Sequence, residues 1–361
     1  MNKKVRLGII GCGGIANNKH MPAEKRNPEV EMAAFCDIIE ERALKARDDF
    51  GTPDCAVYTD YRQLLADDSI DAVLVLTPNN SHCRITVDAL DAGKHVLCEK
   101  PMAISYAQAK EMIAARDRSG KILTIGYQNR FRADALYMKR LADDGVFGDI
   151  YYAEAIAVRR RAVPTWGVFI DCQKQGGGPL IDIGTHALDL TLFMMNNYEP
   201  AYCVGSAFHK LNAQRDTGNA WGDWDVEKFT AEDSAFGFVV MKNGATIYLK
   251  SSWALNIADP MEAITTICGD RAGGDMLDGL RINTVMSGKQ VMIKPDLSGG
   301  SVAFFSGAAG GEPEDIECAT FINAVKNGGS LYVTAEQAAV VTAILEGIYK
   351  SAQTGKPYYF D

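Results

Sequence analysis

A short apolar run at residues 5–10 leads directly into Gly11-Cys12-Gly13-Gly14-Ile15-Ala16. A buried strand that ends in a glycine-rich turn and restarts as a helix opens a right-handed βαβ unit. The first glycine permits the tight turn. The second lets backbone approach a pyrophosphate, and a small residue at the last position lets helix pack on strand. The helix N-terminus then offers unpaired N–H groups and a partial positive charge to the phosphates.

The same rhythm continues for about 130 residues. Apolar runs at 30–36, 72–76, 95–98 and 122–126 alternate with amphipathic stretches at 40–50, 82–92 and 105–119. This predicts an α/β domain over residues 1–130, a doubly wound parallel sheet of the Rossmann type. Asp37 closes the second run, 24 positions after Gly13. A carboxylate there can accept from both adenosine ribose hydroxyls and repel a 2′-phosphate, which favours NAD over NADP. The bland alternative is an ordinary surface aspartate. Thr77-Pro78-Asn79-Asn80-Ser81-His82 follows the run 72–76, at the strand end where open α/β sheets place ligands. Thr77, Pro78, Asn79 and Asn80 are expected to contact the cofactor. Ser81 could instead cap the next helix, and His82 reads as a helix-start residue.

Beyond residue 130 the pattern changes. A helix at 133–143 precedes a strand-like 149–160, a polar glycine-bearing loop, and a helix at about 180–195. Strand-like segments at 201–211, 234–241, 245–254 and 262–269 follow with few helices between them. Residues 131–361 are therefore expected to form an α+β domain with a large, mostly antiparallel, open-faced sheet. Segment 212–232 reads as an inserted loop. Helices at 316–326 and 335–354 close the chain and could pack back on the first domain. An uncovered apolar sheet face favours a homodimer or homotetramer.

Two clusters carry candidate chemistry. Glu99-Lys100-Pro101 ends the run 95–98. A charged pair at the end of a central buried strand is costly unless it faces a ligand crevice. Lys100 could there stabilise an alcohol oxygen as it becomes an alkoxide. Pro101 would fix the turn, with a cis bond as one means. The second cluster runs from Gly176 through Gly178-Pro179-Leu180-Ile181-Asp182-Ile183-Gly184-Thr185-His186 to Asp189. Asp182 and His186 stand four apart on a helix and share a face. A histidine can take a hydroxyl proton near neutral pH, although such a pair alone is more often a structural ion pair. Tyr127, Asn129 and Arg130 follow the run 122–126, where Arg130 meets ligand or makes an interdomain salt bridge. Trp166 either stacks on a sugar face or packs its loop. Arg159, Arg160 and Arg161 read as surface or subunit contacts.

The bulk numbers narrow the partners. The chain has 361 residues, 47% apolar and 23% charged, with a formal net charge of −9. That sign disfavours nucleic acid and anionic membranes as main partners. The N-terminus lacks the long apolar stretch of a signal peptide, and no run approaches a membrane span, so a cytoplasmic protein is expected. The nine cysteines are scattered without a Cys-x-x-Cys pair and read as free thiols packed as small hydrophobes. No ligand cluster suggests a metal.

Together, Gly11 through Ala16, Thr77-Pro78-Asn79, Glu99-Lys100-Pro101 and Gly178 through His186 resemble the glucose–fructose oxidoreductase, inositol dehydrogenase and rhizopine catabolism family (Gfo/Idh/MocA) in order and spacing, over nearly the whole chain. The resemblance implies NAD-dependent oxidation of a carbinol carbon in a sugar, cyclitol or related polyol. It implies Lys100, Asp182 and His186 as the catalytic set. The expected cofactor contacts are Gly11, Gly13, Gly14, Ile15, Ala16, Asp37, Thr77 to Asn80, Glu99, Lys100 and Asn129. Lys100, Arg130, Trp166, Asp182 and His186 are expected at the substrate, which would enter between the domains above the nicotinamide. Two alternatives stay open. One is a glycoside-oxidising or glycoside-cleaving enzyme with tightly held NAD, although the Gly-Gly-His-Gly motif of the cleaving branch is absent. The other is a non-catalytic dinucleotide sensor.

Overall fold

In the computed structural model, which describes residues 3–297 and 312–361, the first strand β1 (Val5–Ile10) is the centre of a six-stranded parallel sheet. The other strands are β2 (Val30–Cys36), β3 (Ala56–Tyr58), β4 (Ala72–Val75), β5 (His95–Glu99) and β6 (Leu123–Gly126). Their order is β3-β2-β1-β4-β5-β6. The chain winds outward from β1 through β2 to β3, then returns to lay β4 on the other side of β1. That reversal leaves a crevice at the carboxyl ends of β1 and β4, the place where such sheets bind ligands. Leu7, Ile9, Leu74 and Leu97 are almost wholly buried beside Met21, Phe35 and Phe321. Continuous burial on both faces explains why these strands read as unbroken apolar runs. β3 and the one-turn helix Tyr61–Leu65 escape the sequence reading because both are too short to show a period.

The second sheet has nine strands: β7 (Ile150–Val158), β8 (Pro200–Phe208), β9 (Ser234–Met241), β10 (Thr246–Ser252), β11 (Met261–Gly269), β12 (Ala272–Asp275), β13 (Arg281–Met286), β14 (Lys289–Ile293) and β15 (Tyr358–Tyr359). The order is β14-β13-β12-β11-β7-β10-β9-β8-β15, and β7 with β10 is its parallel pair. The helix Thr185–Met195 packs on β7 and β11. Gly205 and Gly237, paired across β8 and β9, let Ile348 of the helix Ala335–Thr354 settle on the same side of the sheet. On the opposite side Val204, Phe238, Tyr248 and Glu154 stand side by side on four adjacent strands, the first three well exposed. The expected open face is present. β12 to β15 were not anticipated: β12 is Ala-Gly-Gly-Asp, and β13 and β14 form a largely exposed ribbon.

Among the described residues, 3–131 with 312–339 form one compact unit, and 132–297 with 340–361 form another. The helix Pro313–Asn327 belongs to the first, where Cys318, Phe321 and Ile322 join the core beneath β1. All nine cysteines are free thiols. No helix among the described residues is long and apolar enough to cross a membrane.

Candidate functional site

Gly11 and Gly13 are glycines for different reasons. Gly11 has φ +95°, and a Cβ there would come within 2.6 Å of the Leu76 carbonyl oxygen. Turn and packing both demand it. Gly13 and Gly14 have ordinary φ, and nothing lies within 4 Å of where a Cβ would stand. The protein itself does not need glycine at either position. The open space leaves room for a ligand drawn close to the backbone, and a dinucleotide pyrophosphate fits it. The chain continues through a π-helical turn, Ala16–His20, into the helix Met21–Arg26, and such turns recur at functional sites.

Asp37 braces the crevice from β2. Its Oδ2 accepts from Cys12 N and its Oδ1 from Ile39 N, both at 2.9 Å. Each carboxylate oxygen keeps a second acceptor position, so the geometry remains compatible with ribose hydroxyls. Ser81 does not cap the following helix. Its hydroxyl meets Thr77 Oγ1 at 2.7 Å and Pro78 O at 2.6 Å, which locks the turn instead. His82 does start the helix His82–Asp91 and does more besides. It is fully buried, with its ring nitrogens each 2.8 Å from a carbonyl oxygen, of Pro101 and of Thr77. It thereby ties the Thr77 turn to the Glu99-Lys100-Pro101 turn. Burial holds its pKa below the ordinary value, against the pull of those two carbonyls.

Glu99 is buried and faces inward. Its Oε2 accepts from Lys100 N at 2.8 Å, and its Oε1 lies 2.8 Å from His20 Nε2. Burial alone would lower the His20 pKa, but the hydrogen bond and charge of Glu99, with Glu317 and Glu24, carry it above the ordinary value. A histidine in the dinucleotide helix therefore pins the strand end that carries Lys100. The Lys100–Pro101 peptide is cis. His20 was not singled out in the sequence, although its position four residues after Ala16 on a short helix was legible.

In the second unit the glycine-rich segment 176–178 is clamped by Glu232. Its carboxylate accepts from Gly178 N at 2.7 Å, Leu180 N at 3.2 Å and the Tyr349 hydroxyl at 2.7 Å. Burial raises the Glu232 pKa, although those three donors oppose the shift. A Cβ at Gly177 or Gly178 would strike Tyr349 or Glu232. The helix that follows opens as a π turn, Leu180–Gly184, where regular α geometry was expected, and becomes α-helical over Thr185–Met195. From Gly177 to Met195, Asp182 and His186 alone are partly exposed. Every other residue of the segment is buried, Asp189 included. Trp253 Nε1, at the end of β10, donates to Asp182 Oδ2 at 2.9 Å. That partner was invisible in the sequence because 71 residues separate the two.

Arg130 is placed unlike a residue that meets substrate. It is fully buried, and Nη1 donates to Tyr332 O at 2.7 Å and Gln337 Oε1 at 2.6 Å. These bonds brace the first unit internally. Asn129 sits in the short 3-10 turn Gln128–Phe131. Trp166 is half-exposed and meets Trp221 edge-to-face at 4.9 Å. Arg159 forms a two-pronged pair with Glu262, so it serves its own unit.

The glycine turn after β1 and the partly exposed Asp182 and His186 are both features of a nucleotide-binding oxidoreductase. The chain belongs to the Gfo/Idh/MocA oxidoreductase family: residues 5–127 match its NAD-binding Rossmann fold and residues 139–360 its C-terminal alpha/beta domain. It is 32% identical to D-glucoside 3-dehydrogenase of Escherichia coli (strain K12) over 352 residues, 97% of this chain and 96% of that protein. Over 144 residues, 40% of this chain and 41% of that protein, it is 33% identical to inositol 2-dehydrogenase/D-chiro-inositol 3-dehydrogenase of Lactiplantibacillus plantarum. The fold is shared with an oxidoreductase domain protein from Kribbella flavida, with TM-score 0.86, 21% identity and coverage of 99% and 100% of the two chains. It is also shared with levoglucosan dehydrogenase in complex with NADH and levoglucosan, with TM-score 0.82, 20% identity and coverage of 98% and 99%.

Proposed function

We propose that the chain is an NAD-dependent dehydrogenase acting on a CH–OH group of a sugar, cyclitol or related polyol. The observation that carries this reading is that Asp182 and His186 alone are partly exposed on a helix otherwise buried. Leaving only two polar side chains at the surface of such a helix favours a role at a ligand over a role in the core. The relatives named for D-glucosides and inositols support the substrate class.

Bound nicotinamide supplies the hydride acceptor. Gly11, Gly13, Gly14, Ile15 and Ala16 would hold the pyrophosphate, Asp37 the adenosine ribose, and Thr77 to Asn80, Lys100 and Asn129 the remainder, with Glu99 steadying Lys100 from beneath. His186 takes the hydroxyl proton as the carbinol carbon gives up its hydride. Lys100 donates to the same oxygen and stabilises its growing negative charge. Asp182, oriented by Trp253, holds a neighbouring hydroxyl or the imidazole. Trp166 offers an aromatic face to the sugar.

The partially exposed row Val204, Phe238, Tyr248 is proposed as the contact of a homodimer or homotetramer. Light scattering on the purified protein tests this, and a clean monomer would contradict it. The dehydrogenase reading is tested by NADH formation over a panel of aldoses, inositols, polyols and glycosides. Turnover that requires NAD supports it, and silence over the whole panel opposes it.

A further inference from the structure

Residues 212–232 form a loop tied down from inside. Trp224 is buried, its Nε1 donates to Asn212 O at 3.1 Å, and its ring meets Phe229 at 5.7 Å. Phe229 in turn meets Trp253 at 6.2 Å, the residue that holds Asp182. Asp223 accepts from both the backbone and the hydroxyl of Thr217. The loop ends on Glu232, the clamp of the glycine-rich segment. So this insertion is built against the Asp182–His186 helix.

The same loop turns Trp221 outward. Trp221 is 45% exposed and Trp166 52% exposed, with ring centroids 4.9 Å apart. Phe169 backs Trp166 at 6.0 Å. Thr165 Oγ1 donates to Trp221 O at 2.8 Å, which fixes the two loops together. Arg159 packs on this aromatic pair and is also within electrostatic reach of Asp182. Its guanidinium is 5.4 Å from the Trp221 ring centre, and its backbone N donates to Ser252 O beside Trp253. The neighbourhood is polar: Arg161 Nη2 donates to Asn256 Oδ1 at 2.9 Å, and the backbone O of Arg161 accepts from Ala220 N at 2.9 Å, next to Trp221. Two large aromatic side chains held about half-exposed together, with a guanidinium against one of them, mark a binding surface. A pyranose matches both features, with C–H groups across its faces and hydroxyls around its edge.

We infer that Trp221, with Trp166 at its edge, is a second ring-binding position, and that the substrate is a glycoside whose aglycone ring rests there. This rests on the dehydrogenase reading above and extends it: one ring meets Asp182 and His186, and the next lies beyond Arg159. A free monosaccharide has no second ring to place.

The test is steady-state NADH formation with a free aldose, its methyl glycoside and a disaccharide bearing the same non-reducing sugar, in the wild type and in Trp221→Ala and Trp221→Phe. The expected result is a wild-type kcat/KM at least tenfold higher for the disaccharide than for the free sugar. Trp221→Ala removes most of that preference through KM, and Trp221→Phe restores part of it. Disaccharide titration should also quench tryptophan fluorescence in the wild type more than in Trp221→Phe. A preference for the free sugar, or a disaccharide preference untouched by Trp221→Ala, overturns the second position while leaving the dehydrogenase intact. No turnover of any carbohydrate overturns both readings.

Discussion

Trp253 Nε1 donates to Asp182 Oδ2 at 2.9 Å, from the end of a strand to the first turn of the helix that carries His186. Indole is a donor only, so the bond holds the Asp182 carboxylate as an acceptor at Oδ2 and fixes its orientation. Trp253→Phe keeps most of the buried ring and removes the donor. A hydrogen bond to a charged group is worth about 1.5–3 kcal/mol, so kcat/KM should fall about tenfold or more, with the melting temperature changed by only a few degrees. Kinetics beside thermal melts check this.

Gly13 separates folding from binding. With nothing within 4 Å of a Cβ at that position, Gly13→Val should fold and melt close to the wild type. NAD affinity measured by calorimetry should fall by about two orders of magnitude, because the side chain fills the space that the pyrophosphate needs. Gly11→Val should lose stability instead, since its Cβ meets the Leu76 carbonyl and its φ is +95°.

Cofactor choice should follow Asp37. Asp37→Ser removes the charge that opposes a 2′-phosphate yet keeps an acceptor for Cys12 N or Ile39 N. The ratio of kcat/KM for NADP over NAD should rise by about tenfold or more, since one charge repulsion of ~1.4 kcal/mol already gives that factor. An unchanged ratio would mean that Asp37 serves only the backbone.

A buried acidic cluster beneath the Lys100 turn should make stability depend on pH. Burial raises Glu24 to about 7 and Glu317 to about 8, and His20 also lies above its ordinary value. Glu99, Glu314 and Cys318 face the same cluster. All three shifted groups bind protons more tightly folded than unfolded. Stability is therefore greatest at the acidic end of this window and falls as pH rises through about 7 to 8. Glu317→Gln cannot ionise. It should flatten the decline in melting temperature between pH 6 and 8.5 by roughly 2–4 °C, using ~1.4 kcal/mol per pKa unit as the scale.

Much of this was written plainly in the sequence. Strands buried on both faces, such as Val30–Cys36, and long helices, such as Glu40–Phe50 and Ala335–Thr354, follow from local pattern alone. The spacing of Asp182 and His186 placed them on one helix, whereas their chemical role came only from the family resemblance. What escaped depends on long-range contact. Trp253 reaches Asp182, Glu232 reaches Gly178, and His20 reaches Glu99 across 71, 54 and 79 residues. Arg130 likewise depends on long-range contact. Its place after β6 suggested a crevice, but the segment Tyr332–Gln337, distant in sequence, covers and engages it. The exposed ribbon Arg281–Ile293 lacked an apolar period because it has little core to face.

The most direct measurement is NADH formation by Lys100→Ala and His186→Ala beside the wild type, with NAD binding followed by calorimetry in the same preparations. If these residues carry the proton transfer and the alkoxide, kcat falls by about 10²–10⁴-fold in each variant, while His186→Ala binds NAD as the wild type does. Full turnover by either variant, on a substrate the wild type oxidises, would contradict the catalytic roles assigned to Lys100 and His186.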